Sequence, residues 1–139
     1  MNTETTLVPD LLRRFVATPN ISMFRIGNSC ARLETNDQLL ASTIQGATVC
    51  CEAEHAEEAS HWKLIRDEQA PCGGREVSVL SAGPIGTLLV GAGTVIAVDR
   101  DRREVFGFIA PDLSGEEFID IVLPPILKLL QLQANTLSQ

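Results

Sequence analysis

Basic residues are few in this sequence, and those present are scattered. Its 139 residues include 11 Lys and Arg against 18 Asp and Glu, which gives a formal net charge of −7 at pH 7. Proteins that bind nucleic acid need clustered positive charge to displace the counterions of the phosphate backbone. The composition therefore argues against a nucleic-acid partner.

Long apolar runs are also missing. Residues Met1 to Thr6 are polar, and the short apolar stretch that follows is broken by Pro9. Neither a signal peptide nor a membrane-spanning helix is predicted, so we expect a cytoplasmic protein without a membrane partner. The 45% of apolar residues is enough for one hydrophobic core, and a single domain over residues 1–139 is expected.

The four cysteines do not form a metal-binding pattern. Cys30, Cys50, Cys51 and Cys72 contain no CxxC pair, and adjacent residues of a strand point to opposite faces, which separates Cys50 from Cys51. We expect free thiols in a reducing cytoplasm, with Cys30 and one of the adjacent pair acting as small buried hydrophobes.

Motifs for catalysis or for cofactor binding are lacking as well. The glycines of Gly83–Gly86 and Gly91–Gly93 precede β-branched strand residues and not the helix that a phosphate-binding loop would need, so they indicate turns. His55 and His61 lie near several glutamates, but their spacing matches no zinc motif, and a solvated loop is favoured. We predict no catalytic residue, no cofactor and no metal, and hence a protein that is not an enzyme.

Hydrophobic periodicity and turn residues predict an α+β fold, with a mostly antiparallel sheet and an N-terminal, a middle and a C-terminal helix packed on it. Trp62 is expected in the core. The predicted helices are Leu7–Val16, Asp37–Gln45 with Asn36 as its N-cap, and a helix after Ser114. The predicted strands are Ser22–Ile26, Cys30–Glu34, Thr48–Glu52, Trp62–Arg66, Glu76–Leu80, Gly86–Val90, Thr94–Val98 and Glu104–Ile109.

The C-terminal helix is apolar on nearly every side. Ser114 and Glu117 have the spacing of a capping box, and Pro124 with Pro125 predicts a kink or two short helices. Because a helix that is apolar all round needs burial on two sides, we expect its second half to contact another subunit or domain. A helix buried by its own sheet is the alternative. The predicted interface residues are Ile126, Leu127, Leu130 and Leu132.

One stretch of the chain resembles a known family. The segments Trp62–Asp67 (WKLIRD), Gly91–Arg103 (GAGTVIAVDRDRR) and Val105–Pro111 (VFGFIAP), followed by a Leu-rich helix with Val122-Leu123-Pro124, look like the N-terminal, non-catalytic region of bacterial HPr kinase-like proteins. The likeness covers roughly residues 22–132. It implies an accessory or regulatory domain that packs against a kinase-type domain. The Gly-x-x-x-x-Gly-Lys-Ser/Thr element of that kinase domain does not occur in this sequence, so no catalytic or phosphate-binding residue is transferred.

Two further interpretations follow from the order of the elements. The chain resembles roadblock and longin-like modules in topology, and this resemblance implies a homodimeric platform for a small GTPase. A small-molecule-binding or enzymatic domain with a pocket beside the sheet is the third. The expected function is a non-catalytic interaction or regulatory module whose partner is another protein, such as a kinase-type domain, or a second copy of the chain.

Overall fold

The computed structural model describes residues 17–26, 29–47, 49–50 and 60–137. The predicted helix Leu7–Val16, His55 and most of the predicted strand Thr48–Glu52 lie outside the described residues. The other predicted strands are present, within two residues of their expected bounds. The observed strands are β1 Asn20–Ile26, β2 Ser29–Thr35, β3 Val49–Cys50, β4 Ser60–Arg66, β5 Val77–Ala82, β6 Ile85–Val90, β7 Thr94–Asp99 and β8 Glu104–Ile109.

These strands form one sheet in the order β3-β1-β2-β4-β8-β7-β6-β5. The predicted mostly antiparallel sheet is wrong, because the sheet is mixed. Strand β4 lies in its middle and pairs in parallel with β2 on one side and with β8 on the other. Helix α1 (Gln38–Ala47) lies in the connection from β2 to β4, and a crossover of this kind returns the chain parallel to the strand it left.

Strand β4 carried one sequence signal of its central position. Ile65 interrupts its alternation of apolar and polar residues, and the structure buries Ile65 together with Trp62 and Leu64. Burial on both faces is typical of strands in the parallel part of a sheet. The spacing of the segments favoured antiparallel hairpins, which is correct for β5 to β8 but not for β4.

The helices lie on one face of this sheet, which we call the core face. Three packed helices were predicted, whereas the described residues contain the short helix α1 and one long C-terminal helix. Trp62 is buried as expected, with its ring edge-on to Phe24 at 5.4 Å and its indole N–H donating to Ser60. The other large side chains of this core include Leu33, Leu40, Ile44, Leu64, Leu88, Ile96, Phe118 and Ile126.

The C-terminal helix consists of two α-helical segments around a π-helical turn: α2 Gly115–Glu117, the turn Phe118–Val122, and α3 Leu123–Leu137. The predicted capping box is confirmed, because Ser114 accepts from the Glu117 amide and Glu117 accepts from the Ser114 amide. Pro124 and Pro125 lie in the first turn of α3. Proline is tolerated there because its missing N–H falls where the π turn has already broken the α-helical pattern.

The cysteines differ from the prediction. Cys30 is buried, as expected, but it is disulfide-bonded. Cys72 is an exposed free thiol. The expectation of free thiols throughout is therefore wrong for Cys30, and its disulfide is a feature that reducing compartments disfavour.

Glycines allow the loop before β5 to lie directly on the turn between β6 and β7. The amide of Gly91 donates to Glu76, and the amide of Ala92 donates to Gly73, each at 2.9 Å. Gly91 has a positive φ of 59°. A Cβ atom at Gly93 would overlap the carbonyl oxygen of Pro71, so this close approach of two backbones requires glycine.

We expect Gly93→Ala to lower the free energy of unfolding by about 1–3 kcal/mol, because the added methyl group forces the two loops apart. Chemical denaturation of the two proteins measures the change. Gly46→Ala in helix α1 is the control, since a Cβ atom there has no neighbour within 4 Å and Ala should stabilise by up to about 1 kcal/mol. Equal stability of Gly93→Ala and wild type would contradict the loop packing.

Candidate functional site

The carboxyl ends of the parallel strands β2, β4 and β8 all lie on the same side of the sheet. The segments that follow them line an open cavity of about 460 Å³. In sheets with parallel strands, ligands commonly bind outside the carboxyl ends of those strands. This cavity is therefore the first place to look for chemistry.

An arginine from β4 occupies the wall of the cavity. The Nε and Nη2 atoms of Arg66 donate to Oδ2 of Asp37 at 2.9 and 2.6 Å. Its Nη1 atom donates to the carbonyl oxygens of Ala110 and Leu113. The two charged side chains are only 12% and 15% exposed. We call Arg66 and Asp37 the Arg66–Asp37 pair.

The residue before Asp37 has a different role from the predicted one. Asn36 was expected to cap helix α1, but its side chain pairs with the backbone N–H and C=O of Arg66 at 2.7 and 3.1 Å. Asp37 caps the helix, because its Oδ1 atom accepts from the Leu39 amide at 3.0 Å. An Asn-Asp pair contains two good N-cap residues, and the position of β4 decides between them.

Two polar side chains of the cavity already have partners within the protein. Four of the five N–H groups of Arg66 are used by the protein, so the guanidinium is committed to structure. The hydroxyl oxygen of Ser114 accepts the hydrogen bond from the Glu117 amide in the capping box. Among the described residues, no group of three or more His, Cys, Asp and Glu could hold a metal ion. His61 is exposed near the start of β4, at the opposite end of the strand from this cavity. The expected absence of catalysis stays a prediction.

We expect Arg66→Gln to destabilise the protein by about 2–4 kcal/mol, because it leaves Asp37 largely buried without its cation and two carbonyl groups without donors. The matched control is Arg102→Gln. Arg102 is 77% exposed and lies 4.0 Å from Asp99, so its loss should cost no more than about 0.5 kcal/mol. Urea unfolding followed by Trp62 fluorescence measures both values, and similar stability of the two variants would refute the structural role of Arg66.

A second ion pair holds the loop before β5 on the N-terminus of the C-terminal helix. Arg75 donates through Nε and Nη2 to the two carboxylate oxygens of Glu117 at 2.8 and 3.1 Å. It also donates to the backbone carbonyl of Asp112 at 2.9 Å. The hydrogen bond from Arg75, with that from the Ser114 amide, lowers the pKa of Glu117 from 4.5 to about 2.

This pKa shift predicts a pH-dependent contribution to stability. A carboxyl group whose pKa is lowered on folding stabilises the protein above its unfolded pKa and loses that contribution as the pH falls through its folded pKa. Glu117→Gln keeps the hydrogen-bonding shape of the capping box but removes the charge. The melting temperature of wild type should exceed that of Glu117→Gln above pH 4.5, and the difference should shrink between pH 4.5 and about pH 2.

Glu116→Gln is the control for this pH series. Glu116 is exposed in the same helical turn, and its substitution leaves the contact between Arg75 and Glu117 in place. A difference between wild type and Glu117→Gln that stays constant from pH 7 to pH 2 would contradict the lowered pKa.

The predicted interface residues of α3 lie on or near the core. Ile126 is fully buried, and Leu127 and Leu130 are partly buried and pack against the core. The side chain of Leu132 lies outside the described residues. Another α3 residue, Leu129, contacts the sheet at Gly86, where an added Cβ atom would be 3.0 Å from its methyl groups. An interface through these residues stays a prediction.

A different exposed apolar surface lies on β5, at the edge of the sheet. All six of its residues, Val77 to Ala82, are exposed. Val77 and Val79 are each 45% exposed and Leu80 is 61% exposed. The sequence VSVLSA predicts the strand but not its place in the sheet, so its edge position was missed. Its lack of charged residues is more typical of an inner strand than of an edge, so the sequence held no signal for this position.

Comparisons with protein families, with curated proteins and with solved structures found no match to this chain. The resemblance to HPr kinase-like proteins therefore stays an expectation. Within the described residues, no helix has both the length and the apolar character needed to cross a membrane.

Proposed function

We propose that this protein is a non-catalytic protein-interaction module that binds its partner along strand β5. The observation that carries the proposal is the exposure of β5 on both faces: Val79 on the core face and Leu80 on the opposite face are both accessible. An edge strand offers unpaired backbone N–H and C=O groups to an added strand, and its side chains supply apolar contacts on both sides.

The composition of β5 supports binding. Proteins usually protect an edge strand with lysine, proline, a bulge or an inward-pointing charge, because an exposed apolar edge pairs with other chains. None of these lies between Val77 and Ala82, and β5 pairs with β6 in unbroken register over all six residues. At the opposite edge of the sheet, the described part of β3 has two residues. Among the described residues, β5 is therefore the longer template for a partner.

The rest of the described structure holds this edge in place. The loop before β5 is tied to the C-terminal helix through Arg75 and Glu117 and to the next turn through Gly73 and Gly91. A strand whose start is positioned in this way loses less conformational entropy when it pairs. A cytoplasmic location, which the sequence suggests, stays a prediction that the disulfide of Cys30 does not favour.

Site-specific crosslinking in cells of the source organism tests this function. Ser78 is exposed on β5 and Gln45 is exposed on α1, so each is replaced in turn by a photoreactive amino acid. We expect crosslinks to protein from position 78 but not from position 45. Adding Val79→Lys, which places a charge on the edge, should abolish those crosslinks. Equal crosslinking from both positions, or none from position 78, would contradict binding along β5.

A further inference from the structure

We propose that the partner of β5 is a second copy of this chain, with the two β5 strands paired antiparallel about a two-fold axis. This inference rests on the proposed function, since it names the occupant of the same edge. Pairing would join two eight-stranded sheets into one sheet of sixteen strands. The partner's chemistry is then that of β5 itself: a short, uncharged, apolar strand.

Symmetry limits how the two strands can be aligned. A two-fold axis normal to the sheet leaves the core faces of both copies on the same side of the joined sheet. Residues that lie opposite each other in the two β5 strands must therefore point to the same face. The register with β6 puts Val77, Val79 and Ser81 on the core face. The axis must therefore lie between one residue and its own copy. Placing the axis at Val79 or at Leu80 gives the longest pairing.

Both alignments place apolar side chains together. With the axis at Val79, this residue lies opposite its own copy, and Val77 lies opposite Ser81 of the second copy. With the axis at Leu80, the two Leu80 side chains adjoin on the other face. Each alignment covers side chains that are about half exposed in the single chain, and cross-strand apolar pairs of this kind stabilise a sheet.

Charge also favours β5 as the place where two copies meet. Each chain carries a net charge of −7, so two copies repel each other overall, and a contact free of charge adds no further repulsion. The segment Val77–Ala82 is free of charge, and the nearest acidic residue in sequence is Glu76. With the axis at Val79, the two Glu76 residues lie at opposite ends of the paired strands, about 20 Å apart, which exceeds the Debye length of about 8 Å at physiological salt.

The proposed dimer does not use the C-terminal helix. Helix α3 packs over β6 and β7, so strands spaced about 4.8 Å apart place the two α3 helices about 20 Å from each other. Packed helices lie about 8–10 Å apart, and the two helices therefore do not touch. Leu127 and Leu130 stay outside this contact, which separates the present proposal from an interface built on α3.

Cysteines introduced on the edge test the pairing directly. In a Cys72→Ser background, which keeps Cys30, Cys50 and Cys51, an added Val79→Cys or Leu80→Cys should form a disulfide-linked dimer under mild oxidation, since residues on the axis face their own copies. The control is Leu39→Cys, because Leu39 is 77% exposed on α1 and far from the edge. Non-reducing gel electrophoresis measures the yield. Dimer from position 79 or 80 at several times the yield from position 39 supports the proposal, and equal yields overturn it.

Sedimentation of the full chain gives a second measure that needs no new cysteine. Val79→Lys puts two lysines opposite or near each other and should raise the dimer dissociation constant at least about tenfold. Leu39→Lys, a matched change of an exposed leucine, should leave it unchanged. The unfolding curve of Val79→Lys at low concentration confirms that the monomer is folded. A wild-type chain that stays monomeric at high concentration overturns the proposal.

The two proposals can fail separately. Crosslinks from position 78 to a different protein, together with a monomeric wild-type chain, would keep the interaction function and reject the second copy as its partner. Crosslinks from position 78 to another copy of the chain would support both. No crosslink from position 78 together with a monomeric chain would reject both.

Discussion

The Arg66–Asp37 pair is the interaction on which the centre of the fold depends. Arg66 ends β4, the strand that joins the two antiparallel parts of the sheet through parallel neighbours. Its guanidinium connects the start of helix α1 with the segment between β8 and α2. A largely buried arginine is stable only when its donors are satisfied, so these three segments are held together at one point.

The helices of this fold do not pack on strand β5. Helix α1 packs on β1 and β2, and α3 packs on β6 and β7. The contact of Leu129 with Gly86 brings α3 as far as β6, but β5 lies one strand further out and is exposed along its whole length. A folded, well-capped domain that ends in an uncharged, exposed strand is suited to bind by extending its sheet. This combination is the basis of the proposed interaction function.

Local features of this fold could be predicted from sequence, and long-range pairing could not. The capping box of Ser114 and Glu117 depends on residues three apart, and the alternation in Thr94–Asp99 and Glu104–Ile109 is visible in any short window. The parallel pairing of β4 depends on strands more than 25 residues away, and the interrupted alternation at Ile65 marks its burial but not its partners. The choice of Asp37 over Asn36 as the cap depends on Arg66 for the same reason.

The candidate site shows the same division. The apolar character of α3 was plain from the sequence, but only the fold shows that Ile126 is buried within its own chain. In contrast, VSVLSA has an ordinary strand pattern, and its importance comes from its place at the edge of the sheet. Edge position is a property of the whole topology, so the surface now proposed for binding was not accessible to sequence analysis.

Hydrogen exchange of the β5 amides is the measurement that tests the central claim most directly. In an unpaired edge strand, the amides that point to solvent exchange rapidly. Pairing with a second strand protects these amides from exchange. If two copies pair along β5, exchange in Val77–Ala82 should slow by at least about tenfold as the protein concentration rises through the dimer dissociation constant, while exchange in α1 stays the same. Rapid exchange in β5 at every concentration would contradict the account.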